Sequence, residues 1–403
     1  MKARIVFAIL VILFLPACNG TFDVGIEHPG SSTATLPPAA TETAAPSNTP
    51  AATLTQPPAA TTLAPSNTAL PTLTLPAATS TLRLPTATVG LVPSNTAMPA
   101  GANPLLGNYI DDRSSPWQVL VSYYNAINRH EYLRAYEYWS DPANSAGSFS
   151  DFANGYQNTA SVDLVFGHIT GGAGAGQLYF TVPVLLKTVN RDGTHANFAA
   201  CYVIHQAQPA NFGAPPFIPM GIDRGKAKVA DLHANDTDAL ASACDGYPSG
   251  SPVIITAGGM NIDRGNYLDI RSGPIETVSS LLNAINRQEY VRAYSYFQDP
   301  ASFPGDFAAY AAGYSDTVEL MATFGTVQSE GAAGNLYFKV PLALNVLTSS
   351  GGTRTFVGCY TLHLGQPANQ ATPPFRPLGI LSGKFSQVNN GTDVNSMLPT
   401  ACQ

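Results

Sequence analysis

Apolar and polar positions follow two different periods along this chain, and each period appears twice. Tyr132, Ala135, Tyr136 and Trp139 are spaced i, i+3, i+4, i+7, the stripe of a helix with one buried face, and Tyr290, Ala293, Tyr294 and Phe297 repeat it. An earlier stripe, Leu120, Tyr124 and Ile127, follows Ser115-Pro116, a capping residue with proline at the first helical position and Gln118 placed for a capping box. Gly273-Pro274 with Glu276 has the same grammar. Asp141-Pro142 and Asp299-Pro300 end the second helices, and third, short helices are predicted around 150–158 and 308–316. The period then changes to two. Strands are predicted over 162–169, 177–190, 194–206 and 220–230, with Leu178, Phe180 and Val182 on one face and Asp192-Gly193 at a hairpin turn. The glycine run Gly171–Gly176 reads as a loop, and a proline-rich stretch from Pro209 to Pro219 precedes the last strand. The second half repeats this order. Helices followed by a long antiparallel meander predict an α+β fold, not α/β.

The repetition is residue by residue. Ala126-Ile127-Asn128-Arg129 returns as Ala284-Ile285-Asn286-Arg287, an offset of 284 − 126 = 158, and the same offset joins Cys201 to Cys359 and Cys244 to Cys402. No insertion is needed between Asn108 and Cys244, and roughly two in five paired residues are identical. A period this long means two copies of one domain, not a solenoid. The chain therefore divides into a signal peptide (1–17), a stalk (18–104), a first domain (105–245), a linker (246–265) and a second domain (266–403).

The N-terminus gives an address. Lys2 and Arg4 precede a short apolar run, Ile5 to Leu15, ending in Leu15-Pro16-Ala17-Cys18. This resembles the lipobox of bacterial lipoproteins, which implies that Cys18 carries acyl chains and becomes the mature first residue, holding the protein on a membrane. The stalk has no aromatic residue between Phe22 and Tyr109, and between residues 30 and 106 its only charges are Glu42 and Arg83. Such a tract of Ala, Thr, Pro and Ser buries too little to offset its ordering entropy and reads as a disordered, extended spacer. The four remaining cysteines are spaced identically in each copy, 244 − 201 = 43 and 402 − 359 = 43. The pairing that treats both copies alike is Cys201–Cys244 and Cys359–Cys402. No Cys-x-x-Cys or clustered Cys/His spacing points to zinc, so neither metal nor cofactor is expected. Net charge is −7, with no basic cluster beyond the signal, which argues against nucleic-acid binding.

The element order, with the tyrosine-rich phrase Ala126-Ile127-Asn128-Arg129 through Tyr136, resembles the nuclear-transport-factor-like (cystatin-like cone, SnoaL-like) superfamily. More narrowly, it resembles uncharacterised bacterial exported proteins with a Thr/Pro stalk. The resemblance implies N-terminal helices packed on a curved antiparallel sheet around a pocket. It also implies sheet-to-sheet pairing, so that the two copies form an intramolecular pseudo-dimer. Superfamily enzymes place an Asp, Glu or His inside the cone, but no such group recurs at a pocket position in both copies: Asp163 is matched by Met321, and His205 and His363 have the strand parity of Cys201 and Cys359, opposite the aromatic side. Asp111 with Arg113 and Asp269 with Arg271 read as ion pairs before the first helices, Glu131 with Arg134 and Glu289 with Arg292 as pairs along a helix, and Asn128 and Asn286 as left-handed caps. Tyr136, Tyr202, Tyr294 and Tyr360 are the candidate ligand-binding residues. The expected function is non-catalytic binding of a glycan or a small hydrophobic or aromatic ligand at the cell envelope. The alternatives are an extracytoplasmic isomerase- or cyclase-like enzyme and a purely structural envelope protein.

Overall fold

A computed structural model describes residues 22–23, 108–246 and 262–403. The signal peptide, Cys18, nearly all of the stalk and most of the linker lie outside the described residues. Among the described residues no helix is long and apolar enough to cross a membrane.

A two-residue strand, β1 (Phe22–Asp23), precedes the first copy. That copy runs α1 (Pro116–Asn128), α2 (Tyr132–Tyr136), α3 (Pro142–Ser145), α4 (Phe149–Gly155), β2 (Thr159–Phe166), β3 (Thr170–Gly174), β4 (Gln177–Asn190), β5 (His195–Ala207), β6 (Gly221–Ala230) and α5 (Asp236–Ala241). The second runs α6 (Pro274–Asn286), α7 (Tyr290–Tyr294), α8 (Phe307–Ala312), β7 (Thr317–Phe324), β8 (Gln328–Ala332), β9 (Asn335–Thr348), β10 (Thr353–Gly365), β11 (Gly379–Val388) and α9 (Val394–Met397). The fold is α+β, with an antiparallel sheet in each copy: β6-β5-β4-β2 with β3 also on β4, and β11-β10-β9-β7 with β8 also on β9. β1 pairs with the β6 edge.

The central strand of each sheet contains a proline, which removes a ladder donor. Pro183 sits where β4 changes partner, between Val184 opposite Phe166 on β2 and Thr181 opposite Thr170 on β3. Its carbonyl still accepts from Gly167 N (2.9 Å), as that of Pro341 does from Gly325 N (2.8 Å). A register shift between Val203 and Ile204, matched by Thr361 and Leu362, bends each sheet. The helical end joins the sheet edge through Ile222 N to Tyr138 O (2.7 Å) and Ser140 N to Ile222 O (2.8 Å); Ile380 does the same in the second copy. Gly225 and Gly383 are required by close approach, because a Cβ there would meet the rings of Tyr202 and Tyr360.

Three local expectations are corrected. The glycine run is a strand, β3, and its turn is Ala175-Gly176, both at positive φ (49° and 77°), which gives the tight reversal that right-twisted hairpins need. The left-handed residue after α1 is His130 (φ 59°), and after α6 it is Gln288 (φ 60°). Asn128 is instead the last helical residue, and its buried amide brackets the Val162 backbone, accepting from N (2.7 Å) and donating to O (3.0 Å). Asn286 does this to Leu320. Finally, Arg113 donates to the carbonyls of Met220 (2.9 Å) and Glu137 (2.8 Å) and covers the Tyr138 ring at 4.3 Å; an ion pair exists only for Arg271 and Asp269, at 4.0 Å.

The copies meet through the arms before their first helices. Arg113 N donates to Asp269 O and Arg271 N to Asp111 O, both at 2.7 Å, and the side chains of Ser272 and Ser114 accept from Asp111 N (2.9 Å) and Asp269 N (2.8 Å). This reciprocity has the pattern of a two-fold. It is broken at its centre, where Asp112 lies opposite Ile270. Burial raises the Asp112 carboxyl, hydrogen bonds from Ser114 oppose it and the charges of Asp269 and Asp111 add to it, which together bring it to about 6. A carboxyl raised on folding contributes stability that is complete below its ordinary value near 4 and lost as pH rises through about 6. Asp112→Asn should therefore be more stable than the parent at pH 7–8, by on the order of 2–3 kcal/mol, with the advantage vanishing near pH 4. Thermal melts of both proteins across pH 4–8 check this; a constant difference would refute it.

Both disulfides are present, Cys201–Cys244 and Cys359–Cys402, each spanning 43 residues. They are bonds of an oxidising, extracytoplasmic setting. They tie each C-terminal tail to the sheet face opposite α1 or α6, where Leu240 packs on Leu185, and Leu398 on Ala343 and Val357. In the chain-entropy model a loop of this length contributes about 4 kcal/mol. Replacing Cys201 and Cys244 with alanine should lower first-domain stability by about 3–4 kcal/mol in denaturant titrations.

Candidate functional site

In both copies one face of the sheet packs under the first helix, and Tyr202 on β5 and Tyr360 on β10 lie on that face. The two interiors nevertheless differ. In the first copy Tyr124 reaches down from α1 so that its hydroxyl meets that of Tyr202 at 2.6 Å, and Tyr123 meets Tyr156 at 2.7 Å. Trp139 and Phe152 pack on Tyr123. Four phenols satisfy one another in pairs, so the space between α1 and the sheet is filled by the domain's own side chains.

The second copy has Leu281 and Leu282 where the first has Tyr123 and Tyr124. Two ring systems are gone, and with them the phenol partners of Tyr314 and Tyr360. A cavity of about 230 Å³ occupies the space, lined by Leu282, Tyr314, Leu344, Phe356, Tyr360 and Phe385 among others. Behind it, Tyr310 stands where the first copy has Phe152; its buried hydroxyl lies near that of Tyr314 but has no partner in good hydrogen-bond geometry among the described residues. A buried hydroxyl without a partner is unfavourable by roughly 1–3 kcal/mol. Burial pushes the phenols of Tyr310, Tyr314 and Tyr360 up, so at neutral pH they are uncharged groups able to donate or accept. At the mouth, Arg354 and Asp316 form an ion pair at 2.6 Å. The first copy has Ala196 and Asn158 there, so the pair belongs to the open cone alone.

Of the four tyrosines singled out by sequence, Tyr360 lines this cavity. Tyr202 is bonded to Tyr124. Tyr136 donates to Gly147 O (2.6 Å) and Tyr294 to Gly305 O (2.5 Å), where they anchor the turns before α4 and α8. His205 and His363 lie on the outer side, stacked on Tyr179 and Tyr337 at 4.7 Å, and their ring nitrogens meet Gln177 (2.6 Å) and Asn335 (2.8 Å). Asp163 is exposed. The sequence reading missed Tyr310, Tyr314 and the leucine pair. Their signal was available: they or their neighbours are positions at which the copies differ.

Glu131–Arg134 (2.6 Å) and Glu289–Arg292 (2.6 Å) are buried pairs. Arg134 donates to Ile110 O and Asn125 Oδ1 and covers the Tyr109 ring at 4.5 Å, fastening the arm to α1. These residues position the scaffold and do not reach the cavity.

No protein-family model matches the chain, and no curated protein matches it.

Proposed function

We propose that the protein is an envelope lipoprotein whose second cone binds one small, neutral ring compound, while the filled first cone serves as scaffold. The observation that carries this reading is the exchange of Tyr123 and Tyr124 for Leu281 and Leu282, which leaves a 230 Å³ cavity beside Tyr360, the equivalent of the Tyr202 that Tyr124 bonds in the first copy. Drug-sized ligand pockets span about 300–1,000 Å³, and a dry cavity of about 150 Å³ suffices for benzene. The size thus suits one or two rings, and the leucine, phenylalanine and tyrosine lining favours an aromatic compound over a glycan. The phenols supply hydrogen bonds for a hydroxyl or carbonyl on that compound.

The reading agrees with the resemblance to the nuclear-transport-factor-like superfamily, whose pockets lie at this place, and with the lipobox and stalk, which would hold the domains away from a membrane. The charged groups at the mouth neutralise each other, which supports retention over proton transfer.

The test is native mass spectrometry of the oxidised protein against neutral mono- and bicyclic aromatics. One bound equivalent supports the proposal. Two equivalents would mean that the first cone also opens, and none would remove its basis. Turnover of the bound compound would favour the isomerase- or cyclase-like reading.

A further inference from the structure

A second and larger cavity, about 340 Å³, lies where the two copies meet and takes its walls from both. Arg113 and Arg271 are equivalent residues of the two copies and both line it, as do the equivalent pair Phe217 and Phe375. The symmetry fails at two points. The first copy contributes Glu137 where the second has Ser295. The arginines also differ in their bonding. Arg113 is held at both ends, by Met220 O and Glu137 O. Arg271 donates from Nη2 to Ser295 O (3.0 Å) and Oγ (3.3 Å), its Nε lies 4.0 Å from the Asp269 carboxylate, and its ring contact with Tyr296 at 4.4 Å fixes the guanidinium plane. Its Nη1 has no partner among the described residues.

Glu137 is the complementary group. No cation lies within ion-pair distance of its carboxylate among the described residues, and burial pushes that carboxyl up against the opposing pull of the Phe375 amide and Arg113. The other acid in the wall, Asp111, already accepts from Tyr138 (2.7 Å) and Tyr109 (3.2 Å), and Arg134 is paired with Glu131. One unfilled donor edge and one carboxylate that accepts from the Phe375 amide but has no ion-pair partner among the described residues therefore line a single cavity whose wall also includes Trp139, Phe217, Phe375 and prolines.

From this geometry we infer that the cleft between the copies binds a free α-amino acid with an apolar side chain: its carboxylate on Arg271, its ammonium on Glu137 and its side chain against the aromatic wall. A simple anion would meet Glu137 and Asp111, and a simple cation would meet Arg113 and Arg271. A zwitterion satisfies both signs, which makes each charge of the cleft discriminate against singly charged analogues. The site needs both copies, because neither alone supplies the two groups.

The experiment is isothermal titration of the full-length, oxidised protein with L-leucine, 4-methylpentanoate and 3-methylbutylamine at neutral pH. The expected result is 1:1 binding of leucine, with each singly charged analogue at least tenfold weaker. Glu137→Gln should weaken leucine at least tenfold and leave 4-methylpentanoate no weaker than before, a split that loss of folding does not produce. Equal affinity for leucine and the carboxylate analogue would overturn the assignment, as would failure of the folded, disulfide-bonded protein to bind either leucine or phenylalanine.

Discussion

Leu282→Tyr is expected to abolish ligand binding by the second cone without unfolding it. The first copy supplies the precedent: there the same helical position carries Tyr124, whose ring fills the cone and whose hydroxyl bonds to Tyr202 at 2.6 Å. A tyrosine at 282 would approach Tyr360 from the same place on α6, occupy the cavity and give the Tyr360 phenol a partner. Inserting a large side chain into a packed core usually destabilises by about 1–3 kcal/mol. Here the volume is empty and a buried hydroxyl gains a bond, so stability should be unchanged or higher while affinity falls at least a hundredfold. The reciprocal change, Tyr124→Leu, should open the first cone and confer a second bound equivalent, at a stability loss of about 2–4 kcal/mol for the deleted ring. Native mass spectrometry gives the stoichiometry and thermal denaturation the stability. If Leu282→Tyr still binds ligand with the parent's affinity, the cavity is not the site.

Much of the architecture was legible because duplication writes it twice. The offset of 158 residues fixed the copies, and the equal cysteine spacing left one symmetric pairing, which both disulfides follow. Strand order was legible from alternation, as in β4, whose bounds match the predicted 177–190. What failed was local. Asn128 has the composition of a left-handed cap, yet its amide is engaged by Val162, a partner 34 residues away that no local rule anticipates. The tyrosines chosen from sequence fall in different places, Tyr360 alone of the four on the 230 Å³ cavity. Repeated tyrosines attract attention because they survived duplication, but residues that survive are those that hold the fold, as Tyr136 and Tyr294 do by anchoring a turn. The open cone arises where the copies diverged, at Leu281 and Leu282. Its consequence depends on Tyr202 and Tyr360 standing opposite α1 and α6, 78 residues along the chain.

Arg292→Met should be the most destabilising single change in the second domain. The guanidinium is fully buried and holds four things at once: Glu289 at 2.6 Å, Leu268 O at 2.5 Å, Asn283 Oδ1 at 2.9 Å, and the Tyr267 ring at 4.6 Å. Burial alone would lower its pKa, but the surrounding Tyr296, Tyr267, Glu289 and Asp269 reverse that, so the group remains a cation. Methionine has similar reach and no charge. It would leave the buried Glu289 carboxylate with Arg287 alone at 2.8 Å, the Leu268 carbonyl with the Tyr296 hydroxyl at 3.3 Å, and Asn283 Oδ1 with the Leu268 amide at 3.1 Å. Breaking a buried pair from one side costs about 3–5 kcal/mol, a large part of a domain's whole stability. The damage should begin at the arm, because Leu268 and Tyr267 lose their tether to α7, leaving the Leu268 amide on Asn283 of α6 to hold them, and the Asp269 contact to the first copy follows. Hydrogen exchange should therefore show loss of protection at 266–271 before the sheet. Replacing both partners, Glu289→Gln with Arg292→Met, should recover part of the loss, since the penalty lies in the stranded carboxylate more than in the missing attraction. A loss below 1 kcal/mol for the single variant in denaturant titrations, or no recovery in the double, would show that the arm is held by its backbone bonds and not by this guanidinium.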